Sequence, residues 1–449
     1  MRFIFCSEFL ESGSLALRMK EIEGQNVKVY ISDKAHRKVL DGLLDKEDEF
    51  TQFQGQGNIF ITDDASSGKL ADSLRQKGEL VFGGSEISDR LENERKFGQK
   101  VLKDSGLETV EYQNFIGVDS YDKALEFIKE KKGRWCFKQN GEESKSYNHV
   151  GKFDNSDDMV SHILDMKKIW TENIDFNLQK FIPGHECAIE GWFNGKEFLR
   201  DKQGEELFII NWEHKMKSNC DLGATTGEVG TLQYRANSDS SLIKELKKVE
   251  PYLTKIKYIG NVDLNFIISE EDGIPRPLEW TNRFGYPSLN MHEEAMITPW
   301  HEMIEKTVKG ENDFMEYDPS WCVVICVTIP PFPFQTQNPD FNAKGQRVYF
   351  LNGNGEWDGK DHLTKEKLKH LHPYELRFDG ETKYYVCTGD TGYLLTVTDM
   401  GETPEEANAN CLARIEDYVL TANMDFRTDI GVNDRVSSSI EYMMENNFL

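Results

Sequence analysis

The sequence predicts a multidomain chain of mixed α/β and α+β class. Three observations carry that expectation. The first ninety residues alternate short apolar strands with helices, the texture of a parallel sheet. From about Thr109 the strands become paired and antiparallel in character. Near Asp318 a third region of strands and helices begins. At roughly 100–200 residues per domain, 449 residues give room for two to four domains. The boundaries expected are an N-terminal α/β domain over 1–90, a central domain over 91–310 and a C-terminal α/β domain over 315–449.

Arg2–Cys6, Val27–Ile31, Asn58–Thr62 and Leu80–Phe82 read as strands, with helices at Ser14–Glu23 and Gly68–Gln76. Glu86–Ser105 reads as one charged, amphipathic helix. In the central region Trp135–Gln139, Asn177–Phe181, Glu186–Phe193, Leu207–Asn211, Asn261–Ser269 and Arg276–Thr281 read as strands, and Ser120–Lys131 and Asp157–Met166 as helices. An Asp272-Gly273 turn joins the last two strands into a hairpin. Trp321–Thr328 is a strongly apolar strand closed by Pro330 and Pro331, followed by strands at Tyr384–Cys387 and Tyr393–Val397. The helix Pro404–Leu420 opens at Thr403-Pro404, with Glu405 and Glu406 in its first turn.

Lys and Arg total 53 against 78 Asp and Glu, a formal net charge of −25. That surface repels phosphate backbones and anionic membranes, so neither a nucleic-acid nor a membrane partner is expected. An anionic substrate would require the few cations to be concentrated in one place. No apolar run approaches the ~18 residues of a membrane span, and the start MRFIFCSEFLESGS lacks a signal-peptide pattern. The eight cysteines are dispersed, several inside apolar runs, which suits free thiols in a reducing cytoplasm. No Walker-type loop and no G-x-G-x-x-G follows any strand.

The most informative segment runs from Tyr258 through the hairpin to Gly285. On a strand, residues two apart share a face, so Asn261, Asp263 and Asn265 stand together, as do Glu279, Thr281 and Arg283. A hairpin can set the two polar faces side by side. Hard oxygen donors in that number suit Mg²⁺ holding phosphates, with Arg283 adding positive charge. An antiparallel hairpin with one wet face would show the same alternation.

Three further signals accompany it. Lys138 closes the strand Trp135-Cys136-Phe137-Lys138 beside the polar loop Gln139–Ser146, where it can reach phosphates or simply mark a sheet edge. The run Gln179-Lys180-Phe181-Ile182-Pro183-Gly184-His185-Glu186 can offer backbone groups to a purine and Glu186 to ribose hydroxyls, or be a plain strand and turn. Glu213-His214-Lys215 precedes Asp221–Gly230, whose three glycines and two threonines suit a loop that lets backbone N–H groups approach an anion.

In this order, these features resemble the ATP-grasp ligases, and within them most closely the phosphoribosylamine–glycine ligases of purine biosynthesis. The resemblance covers almost the whole chain. It is carried by Val81–Gly84, Leu91–Phe97, Glu111–Phe115, His214-Lys215, Thr225–Gly230, Glu279 with Asn282–Gly285, and Arg427-Thr428-Asp429-Ile430-Gly431. It implies a Rossmann-like N-terminal domain, an ATP-grasp domain of two antiparallel sheets with ATP between them, and a C-terminal α/β domain. It further implies ATP and Mg²⁺ (or Mn²⁺) as cofactors. The reaction would join a small-molecule carboxylate to an amine through an acyl phosphate, in a cytoplasmic monomer or homodimer. By position, Arg95, Lys138, Gln179, Lys180, Phe181, Ile182, Glu186 and Lys215 would bind ATP. Glu279 with Asp263 or Asn265, and Thr281, would hold the metal. Arg283 and Lys145 would be catalytic, and Thr225, Thr226, Gly227, Asn282 and Gly285 would contact substrate.

The sequence departs from that family in functional places. The family's Gly-Gly-Arg-Glu-His-Ala phosphate loop reads Glu8-Phe9-Leu10-Glu11-Ser12-Gly13 here, and its Gly-Pro-Glu element reads Thr62-Asp63-Asp64-Ala65. The glycine-rich mobile loop has become Gly141–Ser146, with two acids, and Thr281 replaces the metal asparagine. Arg95 replaces a phosphate-contacting lysine, and Glu228 interrupts a glycine pair. A ligase moved to another amine would carry such changes, as would a fast-diverging synthetase or a non-catalytic nucleotide-binding relative.

Overall fold

The computed structural model describes residues 1–140, 148–334, 342–389 and 391–449. The chain forms two compact units. The first comprises Met1–Asp89, Cys187–Asp263 and Thr281–Leu449; the second comprises Arg90–Glu186 and Leu264–Trp280.

In the first unit, the strands Val27–Ile31, Phe3–Ser7, Ile59–Ile61 and Leu80–Phe82 lie side by side in that order, all parallel. Phe3–Ser7 is buried along its whole length, as an inner parallel strand with both faces covered should be. Helices Gly13–Glu21 and Gly68–Gln76 make two of the connections. The chain leaves the first strand toward one edge of the sheet and the third toward the other. The carboxyl ends of Phe3–Ser7 and Ile59–Ile61 therefore flank a topological switch point, where open α/β sheets take their ligands.

The same unit holds an antiparallel succession of Gly184–Asn194, Phe208–Ser218, Leu222–Arg235, Trp321–Thr328, Tyr393–Gly401 and Leu371–Pro373. Trp321–Thr328 is buried at every position, which explains its unbroken apolar sequence. The helix Pro404–Tyr418 is capped by the Thr403 hydroxyl, which accepts from the Glu406 amide; after it the chain turns into a short strand, Val419–Thr421.

In the second unit, Tyr112–Ile116, Asp175–Lys180, Trp135–Gln139 and His149–Val150 form an antiparallel sheet in that order. Helices Ser120–Lys131 and Asp157–Ile169 contribute Tyr121, Ile128, Met159 and Ile163 to a core with Phe115, Trp135, Phe137, Phe176 and Leu178 of the sheet. The opposite face of those strands is polar: Lys138 stands across from Asn177, and Cys136 from Gln179.

Two expectations are corrected. The helix read over 86–105 is two helices, Glu86–Asn93 and Arg95–Asp104, broken at Glu94 with φ −100° and ψ 79°. The break lets Gly98 press on the Leu91 carbonyl, where a Cβ would come within 2.2 Å of its oxygen. The glycine–threonine run read as a loop is the first half of the strand Leu222–Arg235, paired with Phe208–Ser218 through two irregularities of register. All eight cysteines are free thiols, with Cys220 exposed. Among the described residues no helix is long and apolar enough to cross a membrane.

Candidate functional site

In the second unit, the strand Trp135–Gln139 alternates cleanly. Trp135, Phe137 and Gln139 are buried, and Cys136 and Lys138 emerge on the polar face. The Cys136 thiol is pushed up by burial; Lys138 and Arg134 draw it down and Glu186 pushes it up further. Lys138 and Glu186 thus both act on one point of this face. Asn177 and Gln179 are buried beside them, and Asn177 Nδ2 donates to Asn140 Oδ1 at 3.0 Å. On this face the amide oxygens of Asn114 and Asn177 are buried without hydrogen-bond partners among the described residues. A polar sheet face with unfilled acceptors suits a ligand rich in N–H and O–H donors.

Lys180 is exposed, and its amide donates to the Glu111 carbonyl at 2.8 Å. Phe181 lies under the Arg134 guanidinium, 3.5 Å from the ring centroid, and Ile182 is half-buried. At Gly184 a Cβ would stand 2.2 Å from the Ile268 carbonyl oxygen, so the turn before Glu186 needs glycine for close approach.

The helix Arg95–Asp104 packs on the hairpin strand Pro275–Thr281: Gln99 Nε2 donates to the Leu278 carbonyl at 2.9 Å, and Trp280 Nε1 to the Gly98 carbonyl at 3.3 Å. This seats Arg95 3.8 Å from the Glu279 carboxylate. Asn265, on the paired strand Ile259–Ser269, is buried. The second unit thus sets Lys138 and Glu186 within electrostatic reach of Cys136, and Arg95 beside Glu279.

In the first unit, Asp263 is buried in a cluster of carboxylates and amides. Asn211 Nδ2 donates to Asp263 Oδ2 at 3.3 Å and reaches Glu190 Oε1 at 3.4 Å; Asn261 Nδ2 donates to Glu190 Oε2 at 3.0 Å. His292 Nε2 stands 3.0 Å from Glu190 Oε1, and its Nδ1 lies 2.9 Å from the Tyr317 hydroxyl. Burial, then Glu190 and Glu213, push the Asp263 carboxyl well above its ordinary range. Glu228 is raised in the same way by burial and Glu213. Asp263 Oδ1 and Glu228 Oε1 are both buried without hydrogen-bond partners among the described residues. Lys215 pairs with Glu213 at 2.8 Å. Glu190, Glu213, Glu228 and His292 are absent from the sequence-based site. A charge inside the apolar run Cys187–Trp192 was the available signal for Glu190.

The remaining candidates of this unit are near the backbone. Thr226 Oγ1 donates to the Lys215 carbonyl at 3.0 Å, Thr225 Oγ1 lies 3.6 Å from the Met216 sulfur, and Gly227 borders Tyr393. Thr281 is half-buried, and Asn282 Nδ2 donates to the Ser88 carbonyl at 3.3 Å. Arg283 Nη1 donates to the Phe284 carbonyl at 2.9 Å and stands 4.0 Å from Glu11. Gly285 abuts Ser288 Oγ, which a Cβ would meet at 2.1 Å. Lys145 lies outside the described residues. A separate group, Glu294, His370 and Asp399, has metal-ligand composition. Its atoms are already engaged, His370 with Glu294 at 2.9 Å and Asp399 with Arg414.

Arg427 explains its own motif. It is buried, and its guanidinium reaches Asp221 at 2.9 Å, Asp429 at 2.8 Å and the Met216 carbonyl at 2.9 Å, tying the hairpin that carries Lys215 and Thr225 to the C-terminal segment. Burial alone would raise the Asp221 carboxyl; Arg427 and Arg435 outweigh it and hold it at about 2. A carboxyl held below its unfolded value stabilises the fold above that value, near 4, and the contribution is lost as pH falls through the folded value. Asp221→Asn is therefore expected to lower stability at neutral pH and to flatten the acid limb between about pH 4 and 2. Urea unfolding across that range tests it; parallel acid limbs would reject the assignment.

No family profile matches the sequence. The phosphoribosylamine–glycine ligase of Haemophilus influenzae is 22% identical over 380 residues, covering 81% of this chain and 79% of that protein. Among solved structures, the phosphoribosylamine–glycine ligase of Thermotoga maritima superposes with a TM-score of 0.69 at 16% identity, over 96% of this chain and 100% of that one. The biotin carboxylase domain of the Hydrogenobacter thermophilus 2-oxoglutarate carboxylase, solved with MgADP and bicarbonate, gives 0.61 at 12% identity, over 99% and 95%. The fold is that of the ATP-grasp proteins, and the resemblance to phosphoribosylamine–glycine ligases extends over most of the chain.

Proposed function

We propose that the protein is an ATP- and Mg²⁺-dependent ligase that joins a carboxylate to an amine through an acyl phosphate and releases ADP and phosphate. The observation that carries this reading is the placing of Lys138 and Glu186 around Cys136 on the polar sheet face, and of Arg95 3.8 Å from Glu279 on the hairpin, in a chain resembling ATP-dependent ligases over most of its length.

Lys138 would hold ATP phosphates as a point charge, assisted by Arg95. Glu186 would accept from ribose hydroxyls, and Gln179, Lys180, Phe181 and Ile182 would frame the base. Within the second unit, Glu279 and Asn265 would offer oxygen donors to a hard divalent cation. Within the first, Asp263 and Thr281 would be the other metal candidates; Asp263 Oδ1 is without a partner among the described residues, and burial, then Glu190 and Glu213, raise its carboxyl. When bound, Mg²⁺ supplies charge neutralisation of phosphate oxygens. Arg283 would stabilise the transferring phosphoryl group and the acyl phosphate. Lys215 would act beside ATP, and Lys145 at the phosphoryl group. Thr225, Thr226, Gly227, Asn282 and Gly285 would line the substrate. Such catalysis is mostly positioning and electrostatics.

The test is ADP release from Mg-ATP with glycine plus freshly generated phosphoribosylamine, run against a panel of amino acids and amines. Amine-dependent ADP release is expected; none with any pair would sink the reading. Lys138→Ala should weaken Mg-ATP binding by about 10- to 100-fold, the worth of a charge-assisted contact of ~1.5–3 kcal/mol. An unchanged ATP affinity would remove Lys138 from the site.

A further inference from the structure

A buried hydrogen-bonded chain in the first unit ends on one oxygen of Asp263 and leaves the other unspent. Gly184–Asn194 lies between Phe208–Ser218 and the strand that carries Asn261 and Asp263. Asn211 stands opposite Ala188 of that middle strand, so the two side chains share a face. Alanine is small enough to let the Asn211 amide reach over it to the next strand. Asn211 Nδ2 meets Asp263 Oδ2 at 3.3 Å and Glu190 Oε1 at 3.4 Å. Both bonds are long beside the ordinary ~2.9 Å, as befits one amide shared between two carboxyl groups.

The amide is held in that orientation from behind. Asn211, Glu190, Asn261 and Asp263 are each at most 4% exposed. Glu190 Oε2 accepts from Asn261 Nδ2 at 3.0 Å, and His292 Nε2 stands 3.0 Å from Glu190 Oε1. His292 Nδ1 lies 2.9 Å from the Tyr317 hydroxyl, which accepts from Gln233 Nε2 at 2.6 Å. Two carboxyl groups flank the Asn211 amide, so its NH₂ turns to them and its oxygen away. That oxygen has no partner among the described residues, and neither has Asp263 Oδ1. The chain spends Asp263 Oδ2 on the fold and leaves Oδ1, a buried polar atom that is costly unless a ligand fills it.

We infer that Asn211 is a positioning residue of the ligase: it holds Asp263 Oδ2 within the sheet, so that Oδ1 is the oxygen presented to a divalent ion. The inference rests on the reading of Asp263 as a metal candidate. Asn211 acts through Asp263 and not by a contact of its own with the ion. Glu190, fixed by Asn261 and His292, keeps the amide from turning over, because a reversed amide would set its oxygen against a carboxylate oxygen. Outer partners of this kind orient carboxylate ligands, and their loss weakens metal binding by about 10- to 100-fold. In the sequence the residue shows only as one amide inside the apolar run Phe208-Ile209-Ile210-Asn211-Trp212.

The test titrates Mn²⁺ into the full chain, alone and again with ADP present, and reads bound ion by electron paramagnetic resonance. Asn211→Leu, close to asparagine in volume, is expected to weaken Mn²⁺ binding at least tenfold. Ala188→Val removes no polar group but crowds the path of the amide, and should weaken it at least threefold, so a folding defect in one variant does not decide the matter. Tyr317→Phe is the control. It removes the hydroxyl shared by His292 and Gln233, should lower the urea midpoint, and should leave Mn²⁺ affinity within twofold of wild type. Undiminished affinity in whichever of the first two variants folds, or an equal loss in Tyr317→Phe, would overturn the inference. Asp263→Asn separates it from the reading beneath it. Loss of Mn²⁺ binding in Asp263→Asn with none in Asn211→Leu sinks this inference alone. No loss in Asp263→Asn, or no binding by wild type in either condition, sinks the metal reading of Asp263.

Discussion

Glu279→Ala is expected to reduce turnover by about a thousandfold or more while leaving the fold intact. A thousandfold corresponds to roughly 4 kcal/mol of transition-state stabilisation, within what a metal clamp on phosphate oxygens supplies. On the hairpin strand Pro275–Thr281 the Glu279 carboxylate stands 3.8 Å from the Arg95 guanidinium. Its side chain is one-third exposed (33%), so truncation costs little folding energy. Its loss would remove the carboxylate that offsets Arg95 and would bind the divalent ion, and Mg²⁺ would bind weakly. Raising MgCl₂ should therefore recover part of the activity, and Glu279→Asp should fall between wild type and alanine. Steady-state ADP release across a magnesium series reads all three. Near-normal turnover in Glu279→Ala at low magnesium would transfer the metal to the first-unit carboxylates around Asp263.

The parts of this site that sequence alone reveals are those whose signal is local. Trp135–Gln139 and the hairpin around Asp272-Gly273 announce themselves by alternation and turn chemistry, and Lys138, Asp263 and Glu279 fall on polar faces for that reason. Thr225–Gly230 misleads because glycine permits both a loop and an extended strand; its pairing with Phe208–Ser218 decides, and that is a partner choice no local pattern encodes. The helix break at Glu94 is similar. Nothing in the local sequence stops the helix there, and the contact of Gly98 with the Leu91 carbonyl makes the turn. Glu190 and His292 are far apart in sequence, each set in an apolar run, and only the tertiary fold shows that they meet.

His292→Leu is expected to cost about 3–5 kcal/mol of stability, the usual penalty for removing one partner of a buried ion pair. Glu190 is 1% exposed, and its carboxylate is held by His292 at 3.0 Å and by the amides of Asn261 and Asn211. Burial pushes its carboxyl up, but His292 and the two amides outweigh burial and keep it below the ordinary glutamate range. Leucine would leave a buried anion beside Asp263, supported by amides alone, and would strip the Tyr317 hydroxyl of the ring nitrogen at 2.9 Å. The sign with pH follows. In wild type the pair's contribution is present above the unfolded glutamate value, near 4.3, and lost as pH falls through the lowered folded value. In the variant Glu190 titrates above its unfolded value, so its penalty is relieved in acid. The gap between the two proteins should be widest above about pH 5 and narrow below it. Adding Glu190→Gln to His292→Leu removes the stranded charge and should recover part of the loss. Urea unfolding of the two singles and the double at pH 7 and pH 4 completes the cycle. A loss under about 1 kcal/mol in His292→Leu, or additive effects in the double variant, would mean that the pair carries no net energy and that the amides alone hold Glu190.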